Sequence, residues 1–233
     1  MKNTRMSTLQ MGTAAFALTM ACSSAFADEP PNSLRIGSYT VFYHTNADDI
    51  SGPYVPPGVN LKAENLETLY LGYVRQLPAN LQVELALGYP PLSKIKGVGP
   101  ASLGSVPYSG QVISSARWLS PTLLLEYKFL DQNSPLRPFI GVGVNYTNFY
   151  DRDSTAAGNA ASGGPTRISL TASVGPAATA GLSYRIAERW HAHMSYSISR
   201  VNTDLVADTD GVLRYSRIHF GPQARVASIG YSF

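Results

Sequence analysis

The chain has 233 residues, 44% of them hydrophobic and only 14% charged, and a formal net charge of +3; ordinary soluble domains are about 25% charged. That charge is too small for a nucleic-acid binder, and the lack of charge runs and low-complexity tracts excludes a largely disordered chain. After residue 30 no apolar run approaches the roughly 18 residues that a spanning helix needs, which excludes a helical membrane protein, while 14 Tyr, 8 Phe, 20 Gly and 16 Pro favour strands and turns.

Residues 1–27 read as a secretory signal peptide: Lys2 and Arg5 charge its start, Met11 to Ala21 is apolar, and Ala25-Phe26-Ala27 is a small-x-small cleavage site before Asp28. Its removal leaves 206 of the 233 residues, with 16 cations against 15 acids, and takes away the single cysteine, Cys22. A lipoprotein would be lipidated at Cys22, but Thr19 stands where that motif wants a Leu-like residue. A cysteine-free mature chain suits an oxidising compartment, where a stray thiol mispairs. Residues 28–33 are expected to form a short periplasmic segment ahead of a barrel over 34–233.

Eight strands follow in order: Leu34 to Asn46, Leu61 to Gln76, Leu81 to Tyr89, Val112 to Phe129, Arg137 to Tyr150, Ser169 to Ile186, Trp190 to Asp204 and Arg217 to Phe233. In the third, Leu81, Val83, Leu85, Leu87 and Tyr89 alternate with Gln82, Glu84, Ala86 and Gly88. In the fifth, Ile140, Val142, Val144 and Tyr146 alternate with Phe139, Gly141, Gly143 and Asn145. Such alternation gives one greasy and one polar face. Short punctuators at Pro78-Ala79-Asn80, Asp131 to Pro135 and Ala187-Glu188-Arg189 alternate with long polar stretches at Ala47 to Asn60, Pro90 to Gln111, Asp151 to Arg167 and Leu205 to Ser216. Tight turns at one end and long loops at the other describe a barrel of the Gram-negative outer membrane. The mature length allows about 26 residues per strand with its connection, which fits eight strands; sixteen would leave about 13 each, too few for a spanning strand plus long loops. The expected fold is therefore all-β, an eight-stranded antiparallel transmembrane β-barrel. Tyr231 and Phe233 close the chain on one face, as an interfacial aromatic pair and an expected signal to the barrel-assembly machinery.

Arg137 to Tyr150, RPFIGVGVNYTNFY, resembles the fifth strand of the OmpW family of small outer-membrane proteins, whose pattern is close to RPYxGxGxNYTxFF. Leu119-Ser120-Pro121-Thr122-Leu123 resembles that family's LPPTL, with Ser120 replacing one proline, and Ala79 to Leu85, ANLQVEL, is similar to its DNIGVEL. Pro176 to Tyr184 and the terminal GYSF fit in order and spacing. The resemblance implies a narrow apolar channel and passage of small hydrophobic molecules, as in related alkane-import proteins. One departure is Gly221-Pro222-Gln223, where the family usually has Asp-Pro-Trp. Counting back in twos from Phe233 puts Arg225 on the lipid face, about 20 Å above the periplasmic rim of a band roughly 25 Å tall, within snorkelling reach of outer-leaflet phosphates. A bulge that turns it inward is the alternative.

Tyr70, Glu84, Leu124, Glu126, Lys128, Phe139, Asn145 and Phe149 are expected to line the lumen, with Glu84, Glu126 and Lys128 as a charge cluster that braces the lower barrel. A partly greasy lumen suits apolar cargo, although side chains filling a narrow barrel give the same pattern. Pro121, Pro176 and Pro222 fall inside expected strands and each removes a ladder donor, which makes them candidates for a lateral opening; the alternative is that they end the regular ladder above the bilayer. His191 and His193 share a face at a spacing that could serve a metal, yet beside Trp190 an interfacial role is the better reading, and no nucleophile motif stands out. No enzyme activity, cofactor or metal is expected. The expected partners are outer-membrane lipid and lipopolysaccharide, small hydrophobic molecules and the barrel-assembly machinery. The alternative function is a structural or receptor-type barrel that works through its long loops.

Overall fold

The computed structural model describes residues 31–103 and 105–233; the expected signal peptide and Cys22 lie outside them. Eight long strands form, several of them interrupted once. They are β1 (Asn32–Ala47), β2 (Asn60–Ala63 and Leu66–Gln76), β3 (Leu81–Gly88 and Leu92–Val98) and β4 (Val112–Leu119 and Thr122–Lys128), followed by β5 (Leu136–Ser154), β6 (Thr166–Leu170 and Ser173–Arg185), β7 (Trp190–Ser199 and Val201–Thr209) and β8 (Val212–Ser232). Each pairs antiparallel with its neighbours in sequence. Ile36 of β1 faces both Leu71 of β2 and Ile229 of β8, which closes the ring.

The period of two sets the two faces. Along β8, Ala224, Val226 and Ser228 are buried while Arg225, Ala227 and Ile229 are exposed. Outward positions such as Leu34, Ile36, Leu123, Ile140, Val142 and Met194 are all more than half exposed. A belt of that size belongs in hydrocarbon, not water. Arg225 lies on this outer face, its guanidinium carbon 4.8 Å from the centre of the Phe42 ring. Within the RPFIGVGVNYT segment the strands approach closely: a Cβ on Gly143 would sit 1.9 Å from the Leu123 carbonyl oxygen.

Turn chemistry holds at both ends. Ala79 and Asn80 both take positive φ (60° and 62°), as do Asp210 and Gly211 (49° and 84°), the backbone of tight two-residue hairpins. The second turn corrects the expectation of a long loop over Leu205 to Ser216, because β7 and β8 continue as a paired ribbon to Thr209 and Val212. Similarly, β3 resumes at Leu92 inside the stretch expected as loop Pro90 to Gln111. Above the bilayer a strand meets water on its outer face, so its outward residues are polar and hydropathy alone reads it as loop.

These extensions carry a cap. Helix α1 (Ala156–Ser162) is started by Thr155, whose hydroxyl accepts from the Gly158 amide and donates to the Val112 carbonyl at 2.6 Å. Tyr108, from the short hairpin Ser102–Leu103 with Val106–Pro107, is buried beneath the cap, and that burial pushes its hydroxyl pKa up to about 12. Arg214 of β8 ties the parts together, donating to the carbonyls of Pro53 and Ser162 and to the Thr209 hydroxyl, each at 3.2 Å. Arg214→Ala should therefore loosen the cap and speed proteolysis around residues 50–58 and 155–165, with the barrel still heat-modifiable on gels. Unchanged protease resistance would show that the guanidinium does not hold the cap.

Candidate functional site

Under the cap the upper lumen holds a cavity, open in part to solvent, with about 790 Å³ of space between its walls. Its wall is aromatic: Tyr39 and Tyr43 on β1, Trp118 on β4, Phe149 on β5 and Phe220 on β8. Phe220 lies against Tyr43 and Phe149, with ring centres 5.8 Å and 6.3 Å apart. The Trp118 indole N–H donates to the Ser93 hydroxyl at 2.8 Å, which satisfies its polar handle and leaves the ring as apolar wall. Below lies a second chamber of about 510 Å³, which shares Tyr39, Ser199 and Pro222 with the first and ends on Glu84 and Tyr70.

The floor is ionic and hydrogen-bonded. Arg35 of β1 donates to one Glu84 carboxylate oxygen at 2.7 Å, with both side chains buried, and the Tyr70 hydroxyl donates to the other. Gln82 donates to Glu126. The imidazole of His193 stacks on Phe139 with centres 4.9 Å apart, while Arg137 reaches the Asn80 side-chain oxygen at 2.9 Å near the periplasmic turn. Charges held in this way cross the lower lumen as a brace.

Several ladders are interrupted beside the upper cavity, among them β3–β4, β5–β6, β6–β7 and β7–β8. Between β3 and β4 the ladder stops at Ala86↔Thr122 and resumes at Leu92↔Arg117, across Tyr89-Pro90-Pro91 on one strand and Ser120-Pro121 on the other. The Tyr89 amide donates to Leu69 on β2, so alternation turns Pro90, which has no N–H to give, toward β4. Pro121 accepts from the Tyr146 amide through its carbonyl at 2.9 Å, so its missing donor faces β5. Asn145 of β5 steadies this break by donating to the hydroxyls of Ser120 and Thr122, both at 2.8 Å. Between β5 and β6 the ladder stops at Thr147↔Ser173, and Asp153↔Arg167 is its one pair above. A further discontinuity, between β1 and β2 above Val41, is bridged by side chains: Asn65 accepts from the Tyr43 amide at 2.9 Å and Asn60 donates to the Ala47 carbonyl at 2.6 Å.

Residues 34–233 match the model of the OmpW family. The chain belongs to that family. Outer membrane protein W of Salmonella typhimurium is 31% identical to it over 94% of this chain and 97% of its own length. Dibenzothiophene metabolism operon protein PahQ of Pseudomonas aeruginosa is 30% identical over 58% of this chain and 61% of its own. The crystal structure of the outer membrane protein OprG from Pseudomonas aeruginosa superposes with a TM-score of 0.76 at 22% identity, covering 88% of this chain and 97% of OprG. The protein is thus an eight-stranded barrel of the outer membrane, and its exposed apolar belt lies in the bilayer.

In this OmpW-family barrel all eight residues expected to line the lumen are buried, but they belong to different levels. Tyr70, Glu84, Glu126, Lys128 and Phe139 make the floor, Leu124 lines the lower chamber, Asn145 braces the break and Phe149 walls the upper cavity. The ionic partner of Glu84 is Arg35, which the charge reading from strands three and four missed, because β1 returns to the floor only when the ring closes. All three prolines singled out in the sequence border an interrupted ladder: Pro121 at β3–β4, Pro176, opposite Val144 on its other side, where the β6–β7 ladder stops at Ala177↔Ser199, and Pro222, opposite Tyr43 on its other side, where the β7–β8 ladder stops at Ile198↔Gln223 and resumes at Val201↔Phe220. Pro90 and Pro91, which read as the start of a loop, are the ones missed. His191 approaches the Ser232 hydroxyl at 3.4 Å at the barrel base. Lys96 of β3 pairs with Glu64 at 2.6 Å.

Removing one member of a buried pair strands the other. Arg35→Met should destabilise the barrel by about 3 to 5 kcal/mol, and adding Glu84→Gln should recover part of that loss. Urea unfolding in lipid vesicles measures both; simple additivity would show that the two groups do not interact.

Proposed function

We propose that this protein gives small hydrophobic molecules passive passage across the outer membrane, and that they leave sideways through the β3–β4 break and not through the periplasmic end. The observation that carries this reading is that the aromatic cavity and the break meet, since Trp118 and Ser120 belong to both. Outward residues flanking the break are Tyr89, Leu92, Leu119 and Leu123, all exposed, so it faces hydrocarbon. A solute that leaves there meets neither water nor the ionic floor. The β5–β6 break is flanked outward by Asn148, Asp151 and Arg152, residues of the aqueous side, while Phe149, Ile168 and Leu170 behind it belong to the same cavity. It is a side door below the cap. PahQ carries the name of a dibenzothiophene metabolism operon, and a flat aromatic solute of that kind suits walls made of Tyr39, Trp118 and Phe220.

No bond is made or broken in this process and no cofactor or metal takes part. Transfer of apolar surface from water, worth about 25 cal/mol per Å², draws the solute in, and its concentration gradient sets the direction. The outer rim of the cap meets lipopolysaccharide. The exposed Phe233 ring, with Tyr231 before it, is the signal that the barrel-assembly machinery reads, and deleting Phe233 should lower the yield of assembled barrel.

The route is tested by closing it. Pro90→Val restores the ladder donor that faces β4, Pro121→Val the one that faces β5 beside the break, and the double variant should slow uptake of n-octane or dibenzothiophene severalfold in cells that display normal amounts of folded barrel. Pro222→Val, at the short β7–β8 interruption and not at β3–β4, should leave uptake unchanged. Normal uptake in the double variant, with uptake lost on blocking the periplasmic end, would refute the lateral route.

A further inference from the structure

The two stacked chambers differ in chemistry. The upper one carries the aromatic rings Trp118, Phe149 and Phe220 with Val41 and Ile218, beside Ser114, Ser115 and the hydroxyls of Ser93, Ser120 and Thr147, which Trp118, Asn145 and one another engage. The lower one has no ring but those of Tyr39 and Tyr70, and hydroxyls from Thr122 on β4, Thr179 on β6, and Ser195, Ser197 and the shared Ser199 on β7 line it. Ser197 donates to Thr179 at 2.9 Å and Thr179 approaches the Tyr196 carbonyl at 3.4 Å, which orients the protons along the wall; each hydroxyl also carries two acceptor lone pairs. Among the described residues no Lys, Arg or His lines this chamber, and its one charged wall group, Glu84, is held by Arg35 and Tyr70. An anion entering would meet a carboxylate with no exposed cation beside it, and a cation would meet a carboxylate already neutralised. An uncharged hydroxyl can donate to and accept from these hydroxyls.

We infer that the preferred cargo is a neutral amphiphile, an apolar body with one uncharged hydroxyl head such as a medium-chain alcohol, the body lying in the upper cavity and the head among the lower hydroxyls. The inference rests on the passage reading above and narrows its substrate class. Ala224 lines the lower chamber and Phe220 the upper one. Four residues of tilted strand span about 10 Å, the length of such a molecule. The β3–β4 break lies at the junction: Ala86 and Thr122 bound it in the lower chamber, Trp118 and Ser120 in the upper. An amphiphile that straddles the junction therefore has its body beside the break while its head is still held.

Trp118 stands in the upper wall, and Trp190 is the other of the chain's two tryptophans, so Trp190→Phe leaves Trp118 as a single reporter. The full barrel in lipid bilayers is titrated with n-octane, 1-octanol and octanoate, each referred to its concentration in the bilayer. 1-Octanol should shift Trp118 emission at about three- to tenfold lower concentration than either other probe, the value of one net hydrogen bond. Thr179→Val with Ser197→Ala should bring 1-octanol to the level of n-octane and leave the n-octane response unchanged. Ser195→Ala removes a hydroxyl from the same chamber and serves if the double variant does not assemble. Equal responses to n-octane and 1-octanol, a response to octanoate that matches 1-octanol, or a preference that survives loss of the hydroxyls would overturn the amphiphile assignment and leave the passage reading standing. No response to any probe would overturn both.

Discussion

A strand in hydrocarbon must find a partner for every backbone N–H and C=O, because no water is there to serve in its place. The pairing of β1 with both β2 and β8 satisfies that demand by leaving no edge. It also decides what a gap means. In a soluble sheet a missing ladder bond is replaced by water at little cost; in a barrel wall it is a local weakness that the surroundings must manage. Here they do so with side chains. Asn145 holds Ser120 and Thr122, and the Arg117 guanidinium reaches the Pro90 carbonyl at 3.1 Å. Proline removes the donor outright, so at Pro90 no buried N–H is left unsatisfied. The break is built from groups that need no partner or have been given one.

The ionic floor lets the wall above it be interrupted. Arg35 on β1 grips Glu84 on β3, across the intervening β2, whose Tyr70 holds the second oxygen of the same carboxylate. Three consecutive strands are thus tied at one level, and Gln82 carries the network on to Glu126 of β4. A buried pair of this kind adds little net stability over an apolar core of the same volume. Its worth is positional: it fixes strand-to-strand register below the level where the β3–β4 ladder stops, so the break does not propagate downward. The same side chains occupy the lower lumen, which separates anything in the cavity from the periplasmic end.

The alternation at Leu81 to Tyr89 and Ile140 to Tyr146 made the eight strands and the inward positions legible, since one greasy and one polar face is a property of neighbouring residues. The short turns were legible for the same local reason. The aromatic cavity was not: Tyr39, Trp118 and Phe220 lie on β1, β4 and β8, and no local pattern signals that they meet. Inward parity could have nominated them, because Tyr39 and Val41 follow Arg35 in steps of two. Parity names the face of a residue but not its level, so it grouped Phe149 with Glu84 although one walls the cavity and the other makes the floor. The ion pair escaped for a related reason, since a Lys two positions from Glu126 is conspicuous in sequence while Arg35 comes into view only when the ring closes.

The strand extensions show where hydropathy stops being informative. Val201–Thr209 and Val212–Ser232 continue their ladders through Asp204↔Arg217 and Asp208↔Leu213, with polar side chains on the outer face. Arg217 and Asp204 pair there at 2.8 Å while both remain exposed. The hydrogen-bonded structure is the same as in the belt below, but the solvent outside has changed, and with it the residues that the outer face selects. Inward, Leu205 and Ile218 remain buried and apolar at this height, beside the buried hydroxyls of Thr203, Thr209 and Ser216. The apolar interior therefore extends above the bilayer, under the cap, and a greasy solute is surrounded by protein before it comes level with the hydrocarbon. Continuity of the inner face across that solvent boundary is what supplies the proposed passage with a lining before the hydrocarbon level is reached.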